Sequence, residues 1–178
     1  TAAALVLALS FVAAQAALAE QLDHSLPLVN GTVSAITVHD GVVYVGGEFS
    51  GAGPVTGSGI PVEPSTGAIV PGFPEVLGRV YAAAADGLGG WFIGGKFTSV
   101  GGLPRLNIAH VRADLSVSTW NPGCDSTVLA LAASGTRLFV GGKFTHVGGM
   151  SRSFLAALDL ENGLPLVWDI TPSGPVHA

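Results

Sequence analysis

The chain has 178 residues, 26 of them glycine and 11 proline, with 48% hydrophobic and only 11% charged residues. So turn-rich and sparsely charged a composition excludes a helical bundle, and the apolar content excludes disorder, because burial can offset the entropy of ordering. A net charge of −5 from scattered acids leaves no basic stripe for a phosphate backbone, so nucleic acid is not an expected partner.

The first stretch, Thr1 to Glu20, is an apolar run ending in Ala17-Leu18-Ala19. It reads as the apolar region and small-residue cleavage site of a secretory signal peptide over residues 1–19, clipped at its N-terminus. The alternative is a membrane anchor, for which the run is marginally long enough. The expected location is therefore secreted, extracellular or cell-surface, with the periplasm also compatible, and the membrane matters only through the secretion signal or an anchor elsewhere. Residues 20–30 read as a linker, and Asn30-Gly31-Thr32 is a glycosylation sequon, relevant in a eukaryotic source.

From there the chain repeats. Tyr44-Val45-Gly46-Gly47-Glu48-Phe49 recurs as Phe92-Ile93-Gly94-Gly95-Lys96-Phe97 and as Phe139-Val140-Gly141-Gly142-Lys143-Phe144, every 47 or 48 residues. A second thread keeps the same period: Val33-Ser34-Ala35, Val80-Tyr81-Ala82, Val128-Leu129-Ala130 and Val176-His177-Ala178. A period in the forties with strand-like content is the signature of β-propeller blades. The expected fold is all-β, about three four-stranded antiparallel blades over 31–77, 78–125 and 126–173, with 174–178 opening the first strand of a truncated fourth.

The strands follow in order. The first unit offers Val33 to His39, Val42 to Phe49, Ile60 to Glu63 and Ala68 to Val70; the second Val80 to Ala85, Trp91 to Phe97, Asn107 to Asp114 and Val117 to Trp120. The third is clearest: Thr127 to Ala133, a Ser134-Gly135 turn, Arg137 to Phe144, a glycine-containing loop, Phe154 to Leu160, an Asn162-Gly163 turn, and Leu164 to Asp169. Paired glycines in mid-strand weaken a sheet unless a bulge or a close backbone approach needs them. Gly46, Gly47, Gly94, Gly95, Gly141 and Gly142 are thus expected to serve packing between blades. Phe49, Phe97 and Phe144 would be large anchors there, with Trp120 and Trp168 in a similar part on the fourth strand.

With the units aligned, Trp120-Asn121-Pro122-Gly123, Val128-Leu129-Ala130-Leu131, Leu138 through Gly149, Arg152 and Ala156-Ala157-Leu158-Asp159 resemble the delta-sixty-repeat β-propeller family, a domain of unknown function found mainly in bacterial surface and secreted proteins. The resemblance runs from about Val33 onward and is strongest from Gly78. More distantly, the chain is similar to the propeller regions of fungal cortical polarity markers of the Rax-two-like type. The first unit departs from the pattern, with Glu48 in place of Lys96 and Lys143, and Gly57 near the place of Arg105 and Arg152. The resemblance implies a shape and brings no reaction with it.

Chemistry is thinly represented. The single cysteine, Cys124, rules out an intramolecular disulfide and a Cys-based zinc cage, and it reads as a small semi-buried residue. His24, His39, His110, His146 and His177 show no ligand spacing, so no metal or other cofactor is expected. Asp40-Gly41 and Asp86-Gly87 read as turns, Asp159 and Glu161 flank another, and Asp125 stands alone beside Cys124. No catalytic residue is nominated.

Lys96, Lys143, Arg105 and Arg152 recur in register. They either bond to carbonyls and to acids such as Asp114 and Asp159, or form a ring of cations for an anionic ligand. Binding sites should lie where the units differ, in the second-to-third-strand loops Ser50 to Gly59, Thr98 to Leu106 and Thr145 to Ser153. The expected function is a binding or structural module for an unidentified protein or glycan; the alternative is the non-catalytic portion of an extracellular hydrolase or kelch-like oxidase.

Overall fold

A computed structural model of the chain describes residues 31–39, 42–49, 58–62, 68–167, 170 and 172–177. The expected signal segment, the linker and Trp168 lie outside these described residues.

The described chain is all-β and antiparallel throughout. The first sheet consists of β1 (Thr32–His39), β2 (Val42–Glu48) and β3 (Gly59–Val62), in that order. The second consists of β4 (Val76–Ala85), β5 (Trp91–Val100), β6 (Leu103–Pro104) and β7 (Ile108–Val111), with β5 central and paired to the other three. The third is formed by β8 (Val128–Ser134), β9 (Arg137–Gly142) and β12 (Leu155–Asp159), with β9 central. Between β9 and β12 a two-residue ladder, β10 (His146–Val147) with β11 (Met150–Ser151), occupies what reads in the sequence as a loop.

Among the described residues the expected fourth strands are represented by isolated bridges, Val62 to Ile69, Val111 to Val117 and Leu158 to Pro165. Proline has no amide to give a ladder. The segment after Pro165 is still tied in by one bond, Leu166 N to Ala157 O, as is its counterpart by Ser118 N to His110 O.

Local sequence dictates the turns. Asp86 Oδ1 accepts the amides of Leu88 and Gly90 at 2.7 and 2.8 Å, closing the wide turn from β4 to β5. Asn107 sits in the left-handed region at φ 63°, which asparagine tolerates better than most residues. Its Oδ1 accepts the Phe97 amide and its Nδ2 donates to Cys124 O at 2.8 Å.

The paired glycines divide two tasks between them. The second of each pair faces its own first strand, where the register shifts at Val33/Ala35, Val80/Ala82 and Val128/Ala130. A Cβ on Gly47, Gly95 or Gly142 would run into the carbonyl oxygen of Thr32, Arg79 or Thr127 respectively. The first of each pair faces the next unit instead. A Cβ on Gly46 would lie 2.7 Å from Val80 Cγ1, on Gly94 2.5 Å from Val128 Cγ1, and on Gly141 2.8 Å from Val176 Cγ1. Absent side chains therefore set the spacing at which β4 lies against β1 and β2, and β8 against β4 and β5.

Two apolar clusters fill the gaps between sheets. Tyr44 of the first sheet packs with Phe73, Val80, Trp91, Ile93 and Phe97, its ring 5.2 Å from that of Phe73. Phe92, Ile108 and Trp120 pack with Val128, Leu138 and Phe144 of the third sheet. Trp120 meets Phe92 edge-on at 5.1 Å, and its Nε1 donates to Asp159 O at 3.2 Å, linking the second unit to a turn of the third. Phe49 is buried beside Val62.

Candidate functional site

The segment that leaves the second sheet is pinned to the loops on both sides. Cys124 N donates to Leu106 O at 2.9 Å, while Gly148 N donates to Pro122 O at 3.0 Å and Asp125 N to His146 O at 3.1 Å. At this seam a shallow depression of about 240 Å³ opens, lined by Leu106, Pro122, Cys124, Asp125, His146 and Val147 among others. Its floor is mainly apolar, and its polar rim comes from residues without counterparts one repeat earlier. By strand register, Leu77 and Ser99 stand one repeat earlier at the places of Asp125 and His146, with Thr98 matching Thr145.

Asp125, which reads as solitary in the sequence, is the hub of that rim. Its Oδ1 accepts the Thr145 amide at 2.8 Å and its Oδ2 accepts the Thr145 hydroxyl at 2.6 Å. His146 Nδ1 lies 3.3 Å from the same Oδ2 and 3.0 Å from Thr145 Oγ1. Partial burial disfavours the Asp125 charge, but bonds from the Thr145 hydroxyl, the His146 and Thr145 amides and the His146 ring outweigh it and lower its carboxyl to about 2. The carboxylate is thus fixed and ionised. A hydroxyl–imidazole–acid relay uses the two ring nitrogens for its two partners, whereas here Nδ1 faces both. The cluster presents a preorganised acceptor and an imidazole, suited to hydrogen bonding with a ligand that also covers the apolar floor.

Cys124 lies beneath this rim and is buried. Burial, reinforced by the Asp125 charge, pushes its thiol pKa up, so the sulfur behaves as a small apolar group. A second acid–imidazole pair, Asp86 Oδ2 with His110 Nε2 at 2.8 Å, lies in the second sheet with His110 stacked on Phe92 at 4.4 Å. Asp86 also holds the amides of its turn, so this pair braces the sheet.

The four cations in register are not alike. Lys96 and Lys143 are exposed, Arg105 is buried and Arg152 is half-buried. Arg105 donates to Pro104 O and, at 2.6 Å, to Ser118 O, stitching β6 to the segment beyond β7. Arg152 donates to Ser151 O at 2.9 Å. Among the described residues none of the four pairs with Asp114, which binds Ser116, or with Asp159, which accepts the Glu161 and Asn162 amides. Glu48, the departure in the first unit, lies 3.0 Å from Arg79 of the second, which accounts for an acid there. Among the described residues no three His, Cys, Asp or Glu side chains gather as a metal would require.

No family model and no curated protein matches the chain. Two designed proteins are among the solved structures that share its fold. One is the computationally designed Ika8 protein, with a TM-score of 0.63 and 15% identity over 86% of this chain and 41% of that one. The other is the computationally designed Ika4 protein, with a TM-score of 0.62 and 15% identity over 86% of this chain and 81% of that one. This chain thus spans less than half the length of Ika8. At such identity the likeness concerns fold alone.

The sequence missed the Asp125–Thr145–His146 cluster because its members lie about twenty residues apart and meet only through the packing of one unit's exit against the next unit's loop. The available signal was substitution between units: Leu77 against Asp125 and Ser99 against His146 mark positions that the repeat itself does not constrain.

Proposed function

We propose that the three sheets are blades of a secreted or cell-surface β-propeller of the delta-sixty-repeat kind, acting as a binding or structural module. The regular seating of Val80 on Gly46, Val128 on Gly94 and Val176 on Gly141 supports the blade reading. The ligand, a protein or a glycan, is taken where the second-to-third-strand loop of the third sheet meets the exit of the second. The observation that carries this reading is the depression between the second and third sheets, whose rim residues Asp125 and His146 are replaced by Leu77 and Ser99 one repeat earlier. Side chains freed from the repeat's own packing are the ones available for recognition.

The test is a glycan array and a panel of extracellular-matrix and envelope proteins probed with the labelled chain, alongside Asp125→Asn and His146→Ala variants. Saturable binding that either variant weakens about tenfold supports the site. Turnover of glycosidic, ester or alcohol substrates by the purified chain, or binding that neither variant alters, overturns it.

A further inference from the structure

We infer that the ligand of the Asp125 depression is a protein segment that lays one arginine side chain along the apolar floor and delivers its guanidinium to the rim. The inference rests on the binding-module reading above. The rim offers acceptors alone. Thr145 Oγ1 gives its proton to Asp125 Oδ2, so the two oxygens that face His146 Nδ1 both act as acceptors, and Nδ1 carries the ring proton. In the neutral ring Nε2 is then an acceptor too. Both of these ring contacts run through Nδ1, and the His146 side chain is 58% exposed, which leaves Nε2 to a ligand. The Asp125 side chain is 40% exposed, and among the described residues no lysine or arginine pairs with it. Arg105 is spent on Pro104 O and Ser118 O, and Arg152 on Ser151 O.

A guanidinium meets each of these demands. It has five N–H donors in a planar fork and no acceptor, so it can reach a carboxylate and a neighbouring ring nitrogen together, which the point charge of a lysine does less well. Its methylene stem lies along apolar surface while the head stays at the water's edge. Here Leu106, Pro122, Cys124 and Val147 supply that surface directly beneath the two acceptors. The volume of about 240 Å³ lies below the ~300–1,000 Å³ of sites that enclose a whole small molecule, so it suits one side chain. Aliphatic surface continues past the hollow: Leu106 is 53% exposed, and Met150, next to the lining Gly149, is 44% exposed. The residues flanking the arginine are therefore aliphatic, and methionine adapts to whichever they are. A glycan is matched less closely, because sugar hydroxyls accept as well as donate and sugar C–H faces stack on flat rings. Among the described residues no Phe, Tyr or Trp lines the depression, and Phe97, Trp120 and Phe144 are buried.

Selection of a random heptapeptide library on the immobilised full chain tests this, with the recovered peptides measured by fluorescence polarisation and a glycan array run beside it. The expected motif is one arginine flanked by Leu, Ile, Val or Met. Citrulline in place of that arginine keeps the shape, loses the charge and weakens binding at least about tenfold on the unaltered protein, so this arm does not depend on how a variant folds. Asp125→Asn weakens the arginine peptide by a similar factor and removes most of its advantage over the citrulline peptide. Met150→Ser weakens binding about threefold, while Leu88→Ser, exposed at the opposite end of β5, leaves it unchanged. No enriched peptide, enrichment of peptides without a cation, or a citrulline peptide that binds as tightly overturns the proposal. A glycan signal that Asp125→Asn and His146→Ala weaken, with no peptide enriched, overturns the arginine segment but upholds the depression as a binding site. Arginine peptides indifferent to both variants refute the segment and the site together.

Discussion

Replacing Gly94 by alanine tests the spacing between sheets at one atom. The new Cβ would sit 2.5 Å from Val128 Cγ1 and 3.1 Å from Leu131 Cδ1, where carbon atoms rest comfortably at about 3.5–4.0 Å. Val128 is fully buried, so the third sheet must move outward by about 1 Å or its side chain must leave its rotamer. Overpacking of this kind costs about 1–3 kcal/mol, partly offset by the ~0.4–1 kcal/mol that alanine contributes by stiffening the unfolded chain. A net loss of about 1–2 kcal/mol lowers the melting temperature by roughly 2–8 °C in a chain of this size. Val128→Ala removes the colliding methyls, so in a denaturant-unfolding cycle the double variant should be more stable than the sum of the single losses by about 1 kcal/mol. Gly95→Ala, which would meet the Arg79 carbonyl instead, should gain nothing from Val128→Ala. Additivity of Gly94→Ala and Val128→Ala within about 0.3 kcal/mol would refute the idea that the missing side chain sets the gap.

Two further outcomes follow from the bonds around the loops. Asp125 and Asp86 both have carboxyls lowered below the unfolded value near 4: bonds from Thr145 and His146 outweigh burial at Asp125, and bonds from His110 and the Leu88 and Gly90 amides outweigh it at Asp86. Each therefore contributes stability that is present above pH ~4 and lost as pH falls, for Asp125 through about 2, so urea midpoints should drop steeply from pH 4 to 2 and less so in Asp86→Asn. A flat profile in that interval would contradict the assignment. Asn107→Ala forfeits the bonds to Phe97 N and Cys124 O as well as tolerance of a positive φ, for about 3 kcal/mol. Asn107→Gly restores only the backbone freedom and should recover about 1 kcal/mol of that by the same measurement.

The sheets were legible because their cause is periodic. Gly94 and Val128 lie in different units, yet each recurs at a fixed place in every unit, so the partners of a contact announce themselves even though nothing local joins them. The twofold division of each glycine pair was not legible, since a bulge at Val80/Ala82 and a neighbour at Val128 leave the same mark in a string of letters. The fourth strands were overestimated, because apolar runs such as Val117 to Trp120 carry strand propensity but, among the described residues, make only a single bridge at Val117. The sequence leaves Arg105 two roles, a bond to a carbonyl or acid and a cation for a ligand, and its guanidinium lies against Ser118 O, a placement set by the fold of β6. Asp125 was the largest omission, for its partners Thr145 and His146 come from a loop whose path the repeat pattern does not specify.

Each unit carries both the glycine that receives and the valine that is received. A gene segment encoding one unit, once duplicated in tandem, therefore yields neighbours that fit without any compensating change, and losing a unit leaves the survivors matched. Selection on the glycine–valine spacing acts on every unit at once, while loops such as the one bearing His146 can diverge unit by unit without disturbing the stack. The same arithmetic that lets such an array lengthen or shorten also leaves its rim free to vary.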